Sequence, residues 1–176
     1  MAADVPRSPE EAQNIFWQEI TRLNENAQST TAILTAASLD SFLQTIITSK
    51  MPKLNADLRD KMFSGYGPFS SFSAKIDSAY AMGLIDKTMH TEMHIVRRIR
   101  NEFSHPKDFR PVTFQHPALK TIFEKFADYT DHNVDKSMFL TVKFKDMLKR
   151  LQPAINAAYL MQGIHRKGAS APPSSN

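Results

Sequence analysis

The chain has 176 residues, 41% of them hydrophobic, and Lys plus Arg exceed Asp plus Glu by 22 to 18. That is enough apolar material for one core, and a mild positive bias that favours anionic partners without demanding them. Cys is absent, which excludes a disulfide framework, a thiolate zinc site and a Cys nucleophile. No signal-peptide apolar stretch opens MAADVPRSPEEAQ and no run of about eighteen apolar residues follows, so the expectation is a soluble cytoplasmic protein without a membrane span.

In chain order, residues 1–7 are polar and expected to be flexible. Ser8, Pro9 and Glu11 have the pattern of a capping box with Pro at the first helical position, so a helix is expected from residue 8. Ile15, Phe16, Ile20 and Leu23 give it an apolar side, with Trp17 as a packing anchor. The polar stretch Asn24 to Ser29 reads as a break. From Thr30 to Lys50, Ile33, Leu34, Ala37, Phe42 and Ile46 recur at helical spacing and predict the main core helix. Pro52 stops it, and Asn55 caps a short helix ending near Phe63.

The loop from Ser64 to Ser71 holds Gly65, Gly67 and Pro68. It is no phosphate-binding P-loop, because no Lys-Ser or Lys-Thr pair follows and no β-branched strand precedes it. Its glycines permit a tight turn that feeds Phe69 and Phe72 into the core. Two helical patterns follow, separated by Gly83 as a C-cap, the second running from Asp86 to about Ser104. A Pro-rich connector leads to a helix from Pro117 through Phe126. A last pattern spans 135–163, carrying Phe139, Leu140, Phe144, Met147, Leu148, Leu151, Ile155 and Leu160, with Pro153 expected to kink or split it. Residues 166–176 form a basic, Ser/Pro-rich tail expected to be disordered. No strand pattern and no internal repeat occurs. The expected fold is all-α: one helical domain over 8–165, a bundle of about six or seven helices, with 30–50, 86–104 and 135–163 packed near antiparallel.

The helix from Asp86 carries the chemistry. At about 100° per residue, Met89, Met93, Val96 and Phe103 form one stripe with Arg100 inside it. A guanidinium on an apolar face requires a carboxylate or a phosphate, since stripping its water without a partner costs several kcal/mol. A quarter turn away lie His90, His94, Arg97 and Asn101, with His105 where Pro106 ends the helix. His90-Thr-Glu-Met-His94 is not a zinc-protease helix, because Thr91 stands where the Glu must be. The two His could clasp a metal, but no third ligand is evident, and neither metal nor cofactor is assigned. A helix-turn-helix reader is disfavoured: Glu92 stands where an apolar residue is needed, and the main stripe is required for packing.

Three segments carry a resemblance: Gly-Tyr-Gly-Pro-Phe-Ser-Ser-Phe-Ser-Ala-Lys-Ile at 65–76, Ala-Tyr-Ala-Met-Gly-Leu-Ile at 79–85 and Ile-Arg-Asn-Glu-Phe-Ser-His at 99–105. Together they resemble the signature of the mannitol operon repressor family, small all-helical bacterial proteins named for transcriptional control of sugar-alcohol uptake. The Arg-x4-His end is also similar to the signature of the HEPN superfamily, helical domains that pair as dimers, some of them RNases and others binders of nucleotides or partners. The resemblance implies a homodimer and a bacterial transcriptional regulator, a corepressor acting through a DNA-binding protein partner.

Two readings of the Arg-Asn-x3-His site follow. In a HEPN-type RNase, the two copies of a dimer would bring Arg100 and His105 around an RNA phosphate: His105 would move a proton of the 2′-hydroxyl or leaving oxygen, Arg100 would stabilise the phosphorane-like charge and Asn101 would orient one of them. In a structural site, Arg100 would pair with Asp40 while Asn101 and His105 pin their own helix end. Arg97, Arg100, Lys107 and Arg110 are the candidate ligand or partner contacts, and residues 97–110 are a candidate nucleic-acid patch. For Arg97 and Arg98, solvation of the outer face beside Glu102 and Asp108 is the alternative.

Overall fold

The computed structural model describes residues 9–105, 112–130 and 134–169. Within them the chain forms six α-helices and no strand: α1 (Pro9–Ser49), α2 (Ala56–Phe63), α3 (Phe72–Ala81), α4 (Lys87–Ser104), α5 (Pro117–Phe123) and α6 (Lys136–Ala169). The all-α bundle is as expected. α1 is the spine, packed against α3, α4 and α6, and α4 also packs against α3 and α5.

Helix ends follow side-chain chemistry. Asn55 accepts from the Leu58 amide at 2.8 Å, Ser71 from Ala74 at 3.1 Å, Asp86 from Met89 at 2.8 Å and Asp135 from Met138 at 2.8 Å. Each satisfies a first-turn amide that has no intrahelical acceptor. After α3, Gly83 has φ +69°. The Gly83 amide donates to Tyr80 and the Leu84 amide to Ala79, the paired bonds of a Schellman turn, so the C-cap role expected of Gly83 holds. Gly67 answers a different need: a Cβ there would lie 2.4 Å from the Lys61 carbonyl oxygen. The turn folds directly onto the end of α2, where the Phe69 amide donates to Met62 and the Phe69 ring stacks on Phe63.

Three expectations about the long helices are corrected. Residues 24–29 do not break α1, which runs for 41 residues. That stretch contains neither Pro nor Gly, and its Asn, Gln and Ser cost only tenths of a kcal/mol each in a helix. The buried face of α1 is Ala32, Ala36, Leu39, Leu43, Ile46 and Ile47, whereas Ile33, Leu34 and Ala37 are exposed. The pattern 32/36/39/43/46 is an equally good helical row, rotated from the expected one, and its small members Ala32 and Ala36 permit close approach. Among the described residues Trp17 is not a core anchor: it meets Phe16 edge-on, and Ile15, Phe16, Trp17, Ile20 and Leu23 are all exposed.

Pro153 does not split α6, although Leu160 is exposed rather than core. α6 also extends its helical backbone to Ala169, beyond the expected end at 163 and into the segment expected to be disordered. Residues 1–8, including the Ser8 cap, and residues 170–176 lie outside the described residues. α5 ends at Phe123, three residues early, and Phe126 is reached through overlapping turns.

The core is continuous from Leu39, Leu43 and Ile47 through Ile76, Met93 and Ile99 to Leu119, Leu140 and Met147. Each such side chain contributes roughly 1.5–3 kcal/mol when fully buried. An aromatic cluster closes one end: Phe123 touches Phe114, Phe126, Tyr129 and Phe139, and Phe114 packs edge-on against Phe103. Gln28 of α1 fastens this end by accepting from the Phe114 amide at 2.7 Å. Over 13–49, α1 has the length and mean hydropathy of a membrane span, with 39% of the relevant window buried in the bundle.

Candidate functional site

The turn before α3 and the second half of α4 meet the middle of α1 around one cavity of about 440 Å³, comparable to small-molecule sites. Ser70, Ser71, Phe72 and Ser73 form one wall, Arg97, Arg100 and Asn101 another, and Ile33, Ala36, Ala37 and Asp40 the third. Ala36 and Ala37 leave the space. Larger side chains at those two positions would reach toward α4 and fill it.

This cavity explains Arg100. The buried face of α4 is Met89, Glu92, Met93, Ile95, Val96, Ile99 and Phe103. Arg100 holds a stripe position yet is exposed, a correction to its expected burial, because the face opens into the cavity at that level. Its Nη1 donates to Asn101 Oδ1 at 3.2 Å. The expected pair with Asp40 is not formed. Asp40 Oδ2 instead accepts from the buried Lys75 ammonium at 2.9 Å, and Lys75 also reaches Gln44 at 3.2 Å. Asp40 Oδ1 is buried without a hydrogen-bond partner. Among the described residues neither Arg97 nor Arg100 makes a salt bridge.

The cavity therefore presents two guanidiniums that have no carboxylate partner among the described residues, three serines and the Asp40 side chain. Such a set can hold an anionic group on the arginines, and a hydroxyl or amine on Asp40.

Of the sequence-predicted residues, Arg97, Arg100 and Asn101 come together here. His105 does not line the cavity: it is the exposed C-cap of α4, its amide donating to the Asn101 carbonyl. Asn101 spends its side-chain oxygen on Arg100 rather than on capping its helix. Lys107 and Arg110 lie outside the described residues, as does Asp108. Arg98 is exposed on the neighbouring surface with Glu102, Ala118 and Thr121.

Two clusters escaped the sequence reading. In the first, His90 and His94 on α4 each place Nε2 2.9 Å from Asp77 Oδ1 on α3, so the third group that the histidine pair lacked is Asp77. The His90 bond, seconded by His94, holds the Asp77 carboxyl below the usual carboxylate range. The Tyr80 ring packs on His90 at 4.7 Å, and Arg97 Nε donates to His94 Nδ1 at 3.4 Å.

The second cluster ties α4 to α6. Buried Glu92 accepts from Lys143 Nζ at 2.6 Å and from Arg150 Nη1 at 2.9 Å. Lys143 also meets Asp128 at 2.8 Å, and Arg150 forks onto Asp86 at 2.9 and 3.0 Å. Burial pushes the Lys143 ammonium toward neutrality, but Asp128 and Glu92 overcome it and its pKa is raised. Comparison with protein-family models, with curated proteins and with solved structures returns no match for this chain.

Proposed function

We propose that this chain is a noncatalytic regulator of the mannitol operon repressor type, a cytoplasmic corepressor that works through a protein partner and takes a small, hydroxyl-bearing anion in the Arg97–Arg100 cavity. The observation that carries this reading is the convergence of two of the resemblance segments, 65–76 and 99–105, on one cavity. Their conspicuous residues are not spent on the core: Ser70, Ser71, Ser73, Arg100 and Asn101 face an opening sized for a small ligand. Arg97 and Arg100 supply the anion contacts, and Asp40 and the serines supply the hydroxyl contacts.

A direct base-reading role is disfavoured because α4, the helix with helix-turn-helix spacing, uses its apolar stripe against α1, α3 and α5. A homodimer is part of the proposal. Phe16, Ile20, Leu23, Ala27 and Leu34 fall on one face of α1 by helical spacing and all are exposed, a row that a second copy would cover.

Cleavage distinguishes this reading from the RNase. Wild type and His105→Ala, matched for helicity and mass in solution, are incubated with labelled single-stranded RNA. The proposal expects intact RNA with both proteins. Cleavage by wild type that disappears in His105→Ala would replace the regulator with a HEPN-type endoribonuclease acting through Arg100 and His105.

A further inference from the structure

We propose that Asp77, His90 and His94 form a binding site for a divalent transition-metal ion, Zn²⁺ or a close relative, that clasps α3 to α4. The inference is independent of what fills the Arg97–Arg100 cavity. It rests on three ligand atoms that the fold brings together from two helices. Asp77 Oδ1 lies 2.9 Å from both imidazole Nε2 atoms, and all three atoms lie within 4.8 Å of one another. An ion bound in tetrahedral geometry at about 2.0–2.2 Å to each nitrogen and oxygen sets its ligand atoms about 3.3–3.6 Å apart. The two 2.9 Å oxygen–nitrogen hydrogen bonds must therefore open by about half an ångström to admit the ion.

The donor types fit as well. Two imidazoles and a carboxylate suit Zn²⁺, Fe²⁺, Co²⁺ or Ni²⁺, and are too nitrogen-rich for Mg²⁺ or Ca²⁺. The rings are pre-positioned. His90 and His94 sit one turn apart on α4, their side chains only 19% and 23% exposed, with Tyr80 packed on His90. Asp77 is 58% exposed, so the remaining coordination positions face water and the site is open rather than closed.

Binding has a defined consequence for Arg97. With His94 Nδ1 accepting from Arg97, a neutral ring must carry its proton on Nε2, toward Asp77. A metal on Nε2 needs the lone pair there and the ring proton on Nδ1, so the Arg97 N–H loses its acceptor. That bond is long at 3.4 Å, and Arg97 has the cavity beside it to turn into.

The test uses Co²⁺ as a spectroscopic probe and Zn²⁺ as a competitor with the full chain. Saturable 1:1 Co²⁺ binding with visible ligand-field bands, reversed by Zn²⁺, is expected for wild type. His94→Ala should abolish the bands, and the isosteric Asp77→Asn should weaken affinity at least about tenfold. His105→Ala, outside the cluster, should bind like wild type and controls for surface histidines. A bare histidine pair on a helix would be indifferent to Asp77→Asn, so equal affinity in that variant overturns the three-ligand site. Absence of saturable binding by wild type, or its persistence in His94→Ala, does the same. Asp77→Asn keeps the side-chain volume and so covers the case in which His94→Ala fails to fold.

Discussion

Glu92 carries both of the α6 cations that reach α4, and its removal isolates buried charge. Glu92→Gln should lower unfolding stability by about 3 kcal/mol, because Lys143 is desolvated and left only Asp128 while Arg150 keeps Asp86. Urea unfolding followed by circular dichroism reads this directly. A loss below about 0.5 kcal/mol would mean that the network adds nothing. Glu92 is buried at the edge of the apolar stripe beside Met89 and Val96, a position the stripe of Met89, Met93, Val96 and Phe103 did not include. Its partners were not legible either, because Lys143 and Arg150 lie 51 and 58 residues away and only the packing of α6 brings them near.

Asp86 adds a pH dependence. The Met89 amide and then the Arg150 guanidinium hold its carboxyl below the ordinary value of about 4. A depressed carboxyl stabilises the fold above that ordinary value, and the contribution disappears as pH falls through the lowered one. Asp86→Asn should therefore be less stable than wild type at neutral pH and lose less stability on acidification below about pH 4. Thermal melts over that range should show the two proteins converging.

At the scale of elements, turns were readable and long-range faces were not. Asn55, Gly83 and the glycine turn feeding Phe69 and Phe72 act within a few residues of their own position, where local chemistry decides. Gly67→Ala should cost about 1–3 kcal/mol, because its new methyl meets backbone oxygens of Lys61 and Met62 that cannot swing aside. A melting temperature equal to wild type would contradict that packing. The α1 break was misread for the opposite reason: local polarity at 24–29 suggested an end, while contacts with α3, α4 and α6 hold the second half of one helix. The core row of α1 was ambiguous because Leu34 belongs to a second, exposed row while Ile33 faces the cavity. That row predicts self-association. Sedimentation should give a dimer for wild type and a monomer for Phe16→Ser/Leu23→Ser with unchanged helicity, and equal mass for both would remove the row from the interface.

At the scale of the whole molecule, the bundle serves to bring the turn before α3, the middle of α1 and the end of α4 around one cavity. The Arg-Asn pair was legible as a candidate because a guanidinium stood on an apolar stripe. Its setting was not, since Asp40 pairs with Lys75 rather than Arg100, and the serines of 70–73 arrive from another element. The same topology leaves His105 outside the cavity lining of its own chain. Under the proposed function the cavity receives a hydroxyl-bearing anion through Arg97, Arg100 and Asp40. Isothermal titration of wild type, Arg100→Ala and Asp40→Asn with a series of phosphorylated polyols and sugar acids tests it most directly. Saturable 1:1 binding to wild type, weakened about 10–100-fold in Arg100→Ala by loss of charge-assisted hydrogen bonds, is the predicted result. No heat with any member of the series, or equal affinity in Arg100→Ala, would contradict it.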